Sequence, residues 1–391
     1  MIYDFDTVID RSGNRSAKYD ERKNVFGRED VIPLWVADMD FKTAQPVIDA
    51  LKARAEEGIW GYTSRPDSYF ASVRDWQSRR NGWAPDVKNM SFCLGVVQAL
   101  SALICSFTAP GEGVSFLSPV YMEFYDMANA WERPIYDSHL IERDGRWEID
   151  FDDLAEKLDK SKLFIFCHPH NPMGRVWQRE EIARVAEMCL QKGVLMISDE
   201  IHSDLVFFGN RHINAASAAS EAAAKNIITC TSATKTFNMA GLQAATVIFP
   251  DREKKKIFDD FWKKMDIHRN NAFSLIAVET AFREGEEWLE QLKSYIEGNF
   301  LFVRDFCQRH IPRVKPNLPE ATYLIWLDCR ELGLDNKALE DFMINRAGLG
   351  LTAGSHFSPW LEGYMRLNAA CPRSVLEKAL TQLKKAVDEL H

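Results

Sequence analysis

The sequence predicts an α/β domain built on a mostly parallel sheet, followed by a smaller α+β domain. Short apolar runs alternate with helical patterns through the middle of the chain. Most of those runs lack the polar–apolar alternation of a sheet with one wet face, which suits strands covered on both sides. Near Glu286 this pattern gives way to one long amphipathic stretch. A length of 391 residues is enough for two domains and a large buried core.

Taken in order, residues 1–30 are polar and are expected to wrap the surface or a partner. Segments 91–94, 113–117, 163–167, 194–198, 227–231 and 246–249 read as strands bounded by Gly, Pro or polar residues. Residues 89–111 carry no charge and are long enough to span a bilayer. Gly95 interrupts them, however, and Gln98, Ser101, Ser106 and Thr108 punctuate them, so a buried strand, a tight turn and a buried helix are expected. Ile182, Val185, Ala186, Cys189 and Leu190 recur at helical spacing and stop at Gly193, a suitable cap. Trp288, Leu292, Ile296, Phe300 and Val303 mark a long helix ending before Pro312. A strand at 322–327 follows, and a last helix from about Ser374 carries Leu376, Leu380, Leu383 and Val387 on one face. The expected division is an N-terminal segment (1–45) packing with the small domain or a dimer partner, a large domain (46–285) and a small one (286–391).

Apolar content of 46% and charged content of 27% are those of an ordinary globular protein. The net charge of −9 argues against a nucleic-acid partner, and the one basic run, Lys254 to Lys256, is flanked by Asp251, Glu253, Asp259 and Asp260 as on a solvated helix face. The eight cysteines include no Cys-x-x-Cys and several sit in apolar runs, which suits buried reduced thiols. The start is acidic and lacks the basic end and apolar stretch of a signal peptide, so a cytoplasmic protein with no membrane partner is expected. No metal is expected: His168 and His170 flank a proline, and no His-Glu-x-x-His occurs. Glycine-rich nucleotide motifs are absent as well.

In open α/β sheets, ligands bind beyond the carboxyl ends of the strands. Asn171 follows the third run, Asp199 the fourth and Lys235 the fifth, so all three point to one edge. Lys235 lies in Ser232-Ala233-Thr234-Lys235-Thr236-Phe237, a Ser/Thr-rich turn after an apolar strand. A lysine amine there can form a Schiff base with an aldehyde and move protons. The rival reading, a serine nucleophile at Ser232, needs a Lys-Thr-Gly and a Ser-Asp-Asn, and neither is present. Asp199 ends a buried run, where a carboxylate is costly unless paired. A protonated ring nitrogen suits it, and so does a helix cap or a structural ion pair. Gly95-Val96-Val97 ends a strand and opens a helix, so backbone N–H groups and the helix dipole can meet an anion.

His168-Pro169-His170-Asn171-Pro172, then Ser198-Asp199-Glu200-Ile201-His202, then Ser232-x-x-Lys235 resemble, in that order, the pyridoxal-phosphate enzymes of the aspartate aminotransferase superfamily. The resemblance runs from about residue 30 to the end and is greatest to the cystathionine β-lyase (C–S lyase) branch. It implies a fold type I, aspartate-aminotransferase-like large domain and pyridoxal 5'-phosphate as cofactor. Lys235, Asp199 and Tyr121 then carry catalysis: Lys235 holds the cofactor, Asp199 its ring nitrogen, and Tyr121 stacks on the ring or is a core tyrosine. Asn171 donates to the phenolic oxygen, and His202 stands beside the same oxygen or is a core histidine. Gly95, Val96, Val97 and Ser232 hold the phosphate, and Tyr62 reaches it from a second subunit, which makes a homodimer. Arg366 binds the substrate α-carboxylate, beside Ala37 and Asp38 of the loop Trp35-Val36-Ala37-Asp38-Met39-Asp40-Phe41. One position departs from many relatives: Gln243, eight residues after Lys235, stands where they carry a phosphate-clamping Arg. Loss of that cation is in keeping with the lyase branch.

The resemblance implies α,β-elimination from L-cystathionine or a related S-substituted L-cysteine, giving a thiol, pyruvate and ammonia. An aminotransferase on the same residues, or a regulatory protein of this fold acting by protein contact, are the alternatives.

Overall fold

A computed structural model of the protein describes residues 1–143, 145–267 and 269–390. The chain forms two compact units, one of Thr43–His170 and Val176–Leu289, the other of Met1–Lys42, Asn171–Arg175 and Glu290–His391.

Among the described residues, the first unit is built on a seven-stranded sheet. Its strands are β1 (Met90–Cys93), β2 (Gly113–Ser118), β3 (Ile135–His139), β4 (Ser161–Cys167), β5 (Leu195–Asp199), β6 (Ile227–Thr231) and β7 (Ala245–Ile248). They lie in the order β1-β7-β6-β5-β4-β2-β3. The pairings are parallel except those of β7, which runs antiparallel to both neighbours. A parallel return needs a crossover of a dozen or more residues, usually a helix. The link from β6 to β7 holds only a four-residue helix and a 3-10 turn, so the chain doubles back. With β7 reversed between them, β1 and β6 point the same way. All strands but β7 therefore present their carboxyl ends at one edge, in register: Cys93 opposite Ala245, Thr231 opposite Thr246, Cys230 opposite Asp199, and Asp199 opposite Cys167.

The helices that matter to this unit are α1 (Asp67–Asn81), α2 (Val96–Phe107), α3 (Arg179–Gln191), α4 (Ala233–Thr236), α5 (Arg252–Lys264) and α6 (Ser274–Glu284). Leu100, Leu103 and Ile104 of α2 and Phe258 of α5 join Phe116, Ile165, Ile197, Ile228 and Val247 of the strands in one buried cluster. Within a strand the cluster's residues lie two apart on one face, as Val114 with Phe116 and Leu163 with Ile165, and the runs needed no alternation because the other face is covered too, in part by α3. Gln178 and Glu181 form a capping box at the start of α3, and Gly193 past its end adopts φ +65°, as its glycine predicts. The charge-free stretch folds as a strand, a turn and the 12-residue α2. Among the described residues no helix is long and apolar enough to cross a membrane. The basic run lies on α5, where Lys254, Lys255 and Lys256 pair with Asp251, Asp259 and Asp260. All eight cysteines are free, and all but the half-buried Cys105 are buried. The sequence reading missed β3, an edge strand whose Tyr136-Asp137-Ser138 carries too little apolar signal.

The second unit carries an antiparallel sheet of β8 (Lys315–Pro316), β9 (Leu324–Asp328), β10 (Thr352–Ala353) and β11 (Tyr364–Asn368), in the order β8-β9-β11-β10. Helix α7 (Glu286–His310) stops just short of Pro312, and α8 (Arg373–Asp388) buries Leu376, Leu380, Leu383 and Val387, the predicted face. The N-terminal segment joins this unit: Ile32–Pro33 pairs in parallel with Leu349–Gly350.

Candidate active site

In the larger unit the predicted residues gather past the carboxyl ends of β1, β2, β5 and β6. Asp199 is the last residue of β5 and is 6% exposed. Its Oδ1 accepts the Ile201 N–H at 3.1 Å. Burial pushes its carboxyl up to about 7, Glu200 adds to the rise, and Lys235 opposes it. Glu200, fully buried, is the better-satisfied neighbour. Ser198 Oγ and Ala215 N donate to its Oε1 at 2.9 Å each. His212 Nε2 and Asn214 Nδ2 meet its Oε2 at 2.9 and 2.7 Å. Burial alone would raise its pKa, but His212 and these donors hold it below the usual value, so Glu200 is the fixed negative charge and Asp199 the one short of a cation. His168 packs on His212, ring centroids 4.5 Å apart, and faces Ile213 O at 2.9 Å. Burial, then His212, pushes His168 down to about 3, so it is neutral at pH 7. His202 is buried at 3% exposure.

Lys235 is half-buried on α4, and its charge is felt by Asp199. Two side chains fix this turn. Ser232 Oγ caps it by accepting the Thr234 N–H at 3.0 Å and donates to Ala244 O at 2.7 Å, tying it to the residue before β7. Thr236 Oγ1 donates at 2.8 Å to Asp204, a buried carboxylate that also accepts Trp76 Nε1 at 3.0 Å. Burial raises Asp204, and these donors oppose the rise. Gln243 is exposed, with a left-handed φ of +54°.

Gly95 precedes α2 in extended conformation, so its role is space rather than flexibility. A Cβ there would lie 2.3 Å from Gln98 Oε1. The N–H groups of Val96 and Val97 open a 12-residue helix with no side-chain cap, so the helix start offers positive potential to an anion. Tyr121, half-buried, follows β2 and packs edge-on to Phe124, centroids 6.4 Å apart. Tyr62 stands apart: it is 88% exposed, with the Arg269 guanidinium 4.4 Å from its ring centroid.

The smaller unit holds the remaining predicted residues together. Arg366 on β11 is 4% exposed, not the surface arginine its charge alone would suggest. Its Nη1 donates to Asn171 Oδ1 at 3.2 Å and its Nη2 to Trp35 O at 2.9 Å, while Phe357 lies under the guanidinium at 4.6 Å. Ala37 O accepts the Tyr323 hydroxyl at 2.7 Å. Asn368 Nδ2 donates to Val36 O and Asp38 O at 2.7 and 2.5 Å. The Asp38 carboxylate is itself engaged by Arg11 at 2.7 Å.

Sequence reasoning missed Glu200's partners, Asp204 and its donors, Tyr323 and Asn368. Glu200 carried a signal, since two adjacent acids close one apolar run. His212 and Asn214 carried none, because a polar loop residue looks the same whether or not the fold buries it.

The profile of the family Aminotransferase class I and II matches residues 29–383. Cystathionine beta-lyase PatB of Bacillus subtilis is 40% identical over 385 residues, 98% of this chain and 99% of its own. A PLP-bound putative aminotransferase from Clostridium difficile superposes with a TM-score of 0.97 at 41% identity, covering 99% of this chain and all (100%) of its own. Cystalysin from Treponema denticola, which contains pyridoxal 5'-phosphate, also gives 0.97, at 34% identity and full (100%) coverage of both chains. The match spans nearly the whole chain and includes the Lys235 turn, the end of β5 and the Arg366 strand: the protein is a member of the aminotransferase class I and II family.

Proposed function

We propose that the protein is a pyridoxal-phosphate-dependent C–S lyase that catalyses α,β-elimination of L-cystathionine or related S-substituted L-cysteines to thiol, pyruvate and ammonia. The observation that carries the cofactor assignment is Asp199, a buried carboxylate at the end of β5 within electrostatic reach of the half-buried Lys235, and the 40% identity to PatB supports the lyase assignment. A buried acid, an amine within its electrostatic reach and an uncapped helix start at Gly95-Val96-Val97 are complements of the three parts of pyridoxal phosphate: ring nitrogen, aldehyde and phosphate. The residues therefore fit the cofactor. The names of PatB and of cystalysin's bound cofactor support the same assignment.

When bound, pyridoxal phosphate supplies an aldehyde for covalent attachment and a ring that withdraws electrons from the substrate's Cα. Asp199 keeps a proton on the ring nitrogen, and Glu200, with four donors of its own, keeps its charge without competing for that proton. Lys235 Nζ takes the Cα proton; Ser232 and Thr236 hold the turn that aims it. Val96 and Val97 donate backbone N–H groups to the phosphate, with Ser232 beside them. Asn171 would orient the ring oxygen, His202 is the second candidate for that role, and Tyr121 would cover the ring face. Arg366 grips the α-carboxylate with its planar fork, next to the Ala37–Asp38 backbone. Loss of the Cα proton and the Cβ–S bond leaves a three-carbon enamine, which water converts to pyruvate and ammonia.

Two copies complete the protein, with Tyr62 reaching the partner's phosphate. Ile59, Trp60 and Tyr62 are 78%, 60% and 88% exposed, and such an exposed apolar group supports an interface there. An aminotransferase is the second reading, favoured by the name of the C. difficile protein. One assay separates the two: cofactor-loaded protein with L-cystathionine and no keto acid. Equal, catalytic release of pyruvate and thiol is expected. Amino transfer only once 2-oxoglutarate is added, with no pyruvate, sinks the lyase reading.

A further inference from the structure

The smaller unit buries a lysine that the chemistry above does not use. Lys18 is 0% exposed, and its Nζ lies 2.8 Å from Asp40 Oδ2 and 3.6 Å from Asp38 Oδ1. Arg11 spans the same pair, with Nη1 at 2.7 Å from Asp40 and Nη2 at 2.7 Å from Asp38. Two cations thus hold two anions spaced two residues apart on one short loop. Such a cluster is weak evidence for stability, because taking Lys18 and Asp40 fully, and Arg11 and Asp38 partly, out of water offsets most of their attraction. What it does provide is geometry: the loop cannot shift without separating buried charges.

That loop is the one whose backbone holds Arg366, the carboxylate holder of the reading above, along with Asn368 and Tyr323. The carbonyls of Trp35, Val36, Ala37 and Asp38 accept, in turn, from Arg366, Asn368, Tyr323 and Asn368. Lys18 is also joined to Arg366 by a second route of two hydrogen bonds. Trp35 Nε1 donates to Lys18 O at 3.0 Å, and Trp35 O accepts Arg366 Nη2 at 2.9 Å.

We propose that Lys18 is a positioning residue for substrate recognition: with Arg11 it locks the 35–41 loop so that Trp35 O sets the plane of the Arg366 fork for an α-carboxylate. The proposal rests on the reading of Arg366 as the carboxylate holder. Lys18 touches neither substrate nor cofactor and acts through Trp35 and the loop.

The test is calorimetric titration of cofactor-loaded protein with L-alanine, which has no β-leaving group, and with L-alaninamide, which has no carboxylate. Wild type is compared with Lys18→Met, Arg11→Met, Trp35→Phe and Arg366→Lys, each checked by thermal melting. Trp35→Phe removes one hydrogen bond to the Lys18 main chain while keeping a ring against Phe26, so it tests the Trp35 link alone; Arg11→Met, which removes the other cation from Asp38 and Asp40, decides the matter if Lys18→Met does not fold. Lys18→Met is expected to weaken L-alanine about tenfold and leave L-alaninamide unchanged, with Arg11→Met and Trp35→Phe following in the same direction. Equal weakening of both ligands, or unchanged L-alanine binding in the folded variants, overturns the proposal. If Arg366→Lys binds L-alanine as wild type does, the reading of Arg366 fails, and the proposal falls with it.

Discussion

Asp199 makes a pH prediction whose sign is opposite to that of a salt-bridged aspartate. Its carboxyl is raised from 3.8 to about 7 by burial, so the folded chain without cofactor holds a proton that the unfolded chain has released. The native state binds more protons across this window. Stability is therefore lost as pH rises from about 4 to about 7 and stays low above it. Relative to Asp199→Asn, the cofactor-free protein should lose at most about 4 kcal/mol between pH 4 and pH 8, read from denaturant melts. Cofactor binding gives Asp199 a cation and should flatten that slope. A wild-type slope no steeper than that of Asp199→Asn would show that the acid is not buried neutral. At the same scale, Lys235→Ala should fold and abolish pyruvate release, because nothing else in the turn carries an amine.

Among elements, two glycines separate packing from chemistry. At Gly95 only the mobile end of Gln98 blocks a Cβ, so Gly95→Ala should melt close to wild type. The same methyl intrudes on the anion position at the start of α2, and cofactor affinity should fall about tenfold, measured by spectroscopic titration. Gly285, between α6 and α7, is the reverse case. A Cβ there would lie 2.4 Å from Phe237 Cε1 and 2.6 Å from Ala281 O. Backbone cannot swing aside, so Gly285→Ala should destabilise by about 2 kcal/mol. Phe237 lies two residues past Lys235, so the displaced turn should weaken cofactor binding as well. Matching melting curves for the two variants would contradict this account.

For the whole molecule, the test is whether one chain suffices. If Tyr62 serves the partner's phosphate, Tyr62→Ala and Lys235→Ala homodimers are each crippled. Mixed and re-associated in equal amounts, half the dimers are hybrids with one intact site. Activity should then recover to about a quarter of wild type, measured after mixing under mild denaturant. No recovery, with hybrids demonstrated by mass, would place Tyr62 in its own subunit's site, and a fully active Tyr62→Ala homodimer would place it in none.

What the sequence by itself determined are the features written in neighbours along the chain. Apolar runs became β1, β2, β4, β5, β6 and β7; Gly193 ended α3, and Pro312 marked the limit of α7. The positions of Asp199 at the end of β5 and of Lys235 past the end of β6 followed from the same runs, because a strand's direction carries its last and following residues to one edge. The tertiary structure alone decided the rest. It reversed β7, it ran the polar Ile135–His139 along the sheet edge, and it joined residues far apart in sequence. Lys18 meets Asp40, Glu200 meets His212 and Asn214, Asp204 meets Trp76, and Arg366 meets Trp35. A polar side chain reads the same in sequence whether it is solvated or buried against a partner. Only the fold, by removing water from around it, makes the partner obligatory.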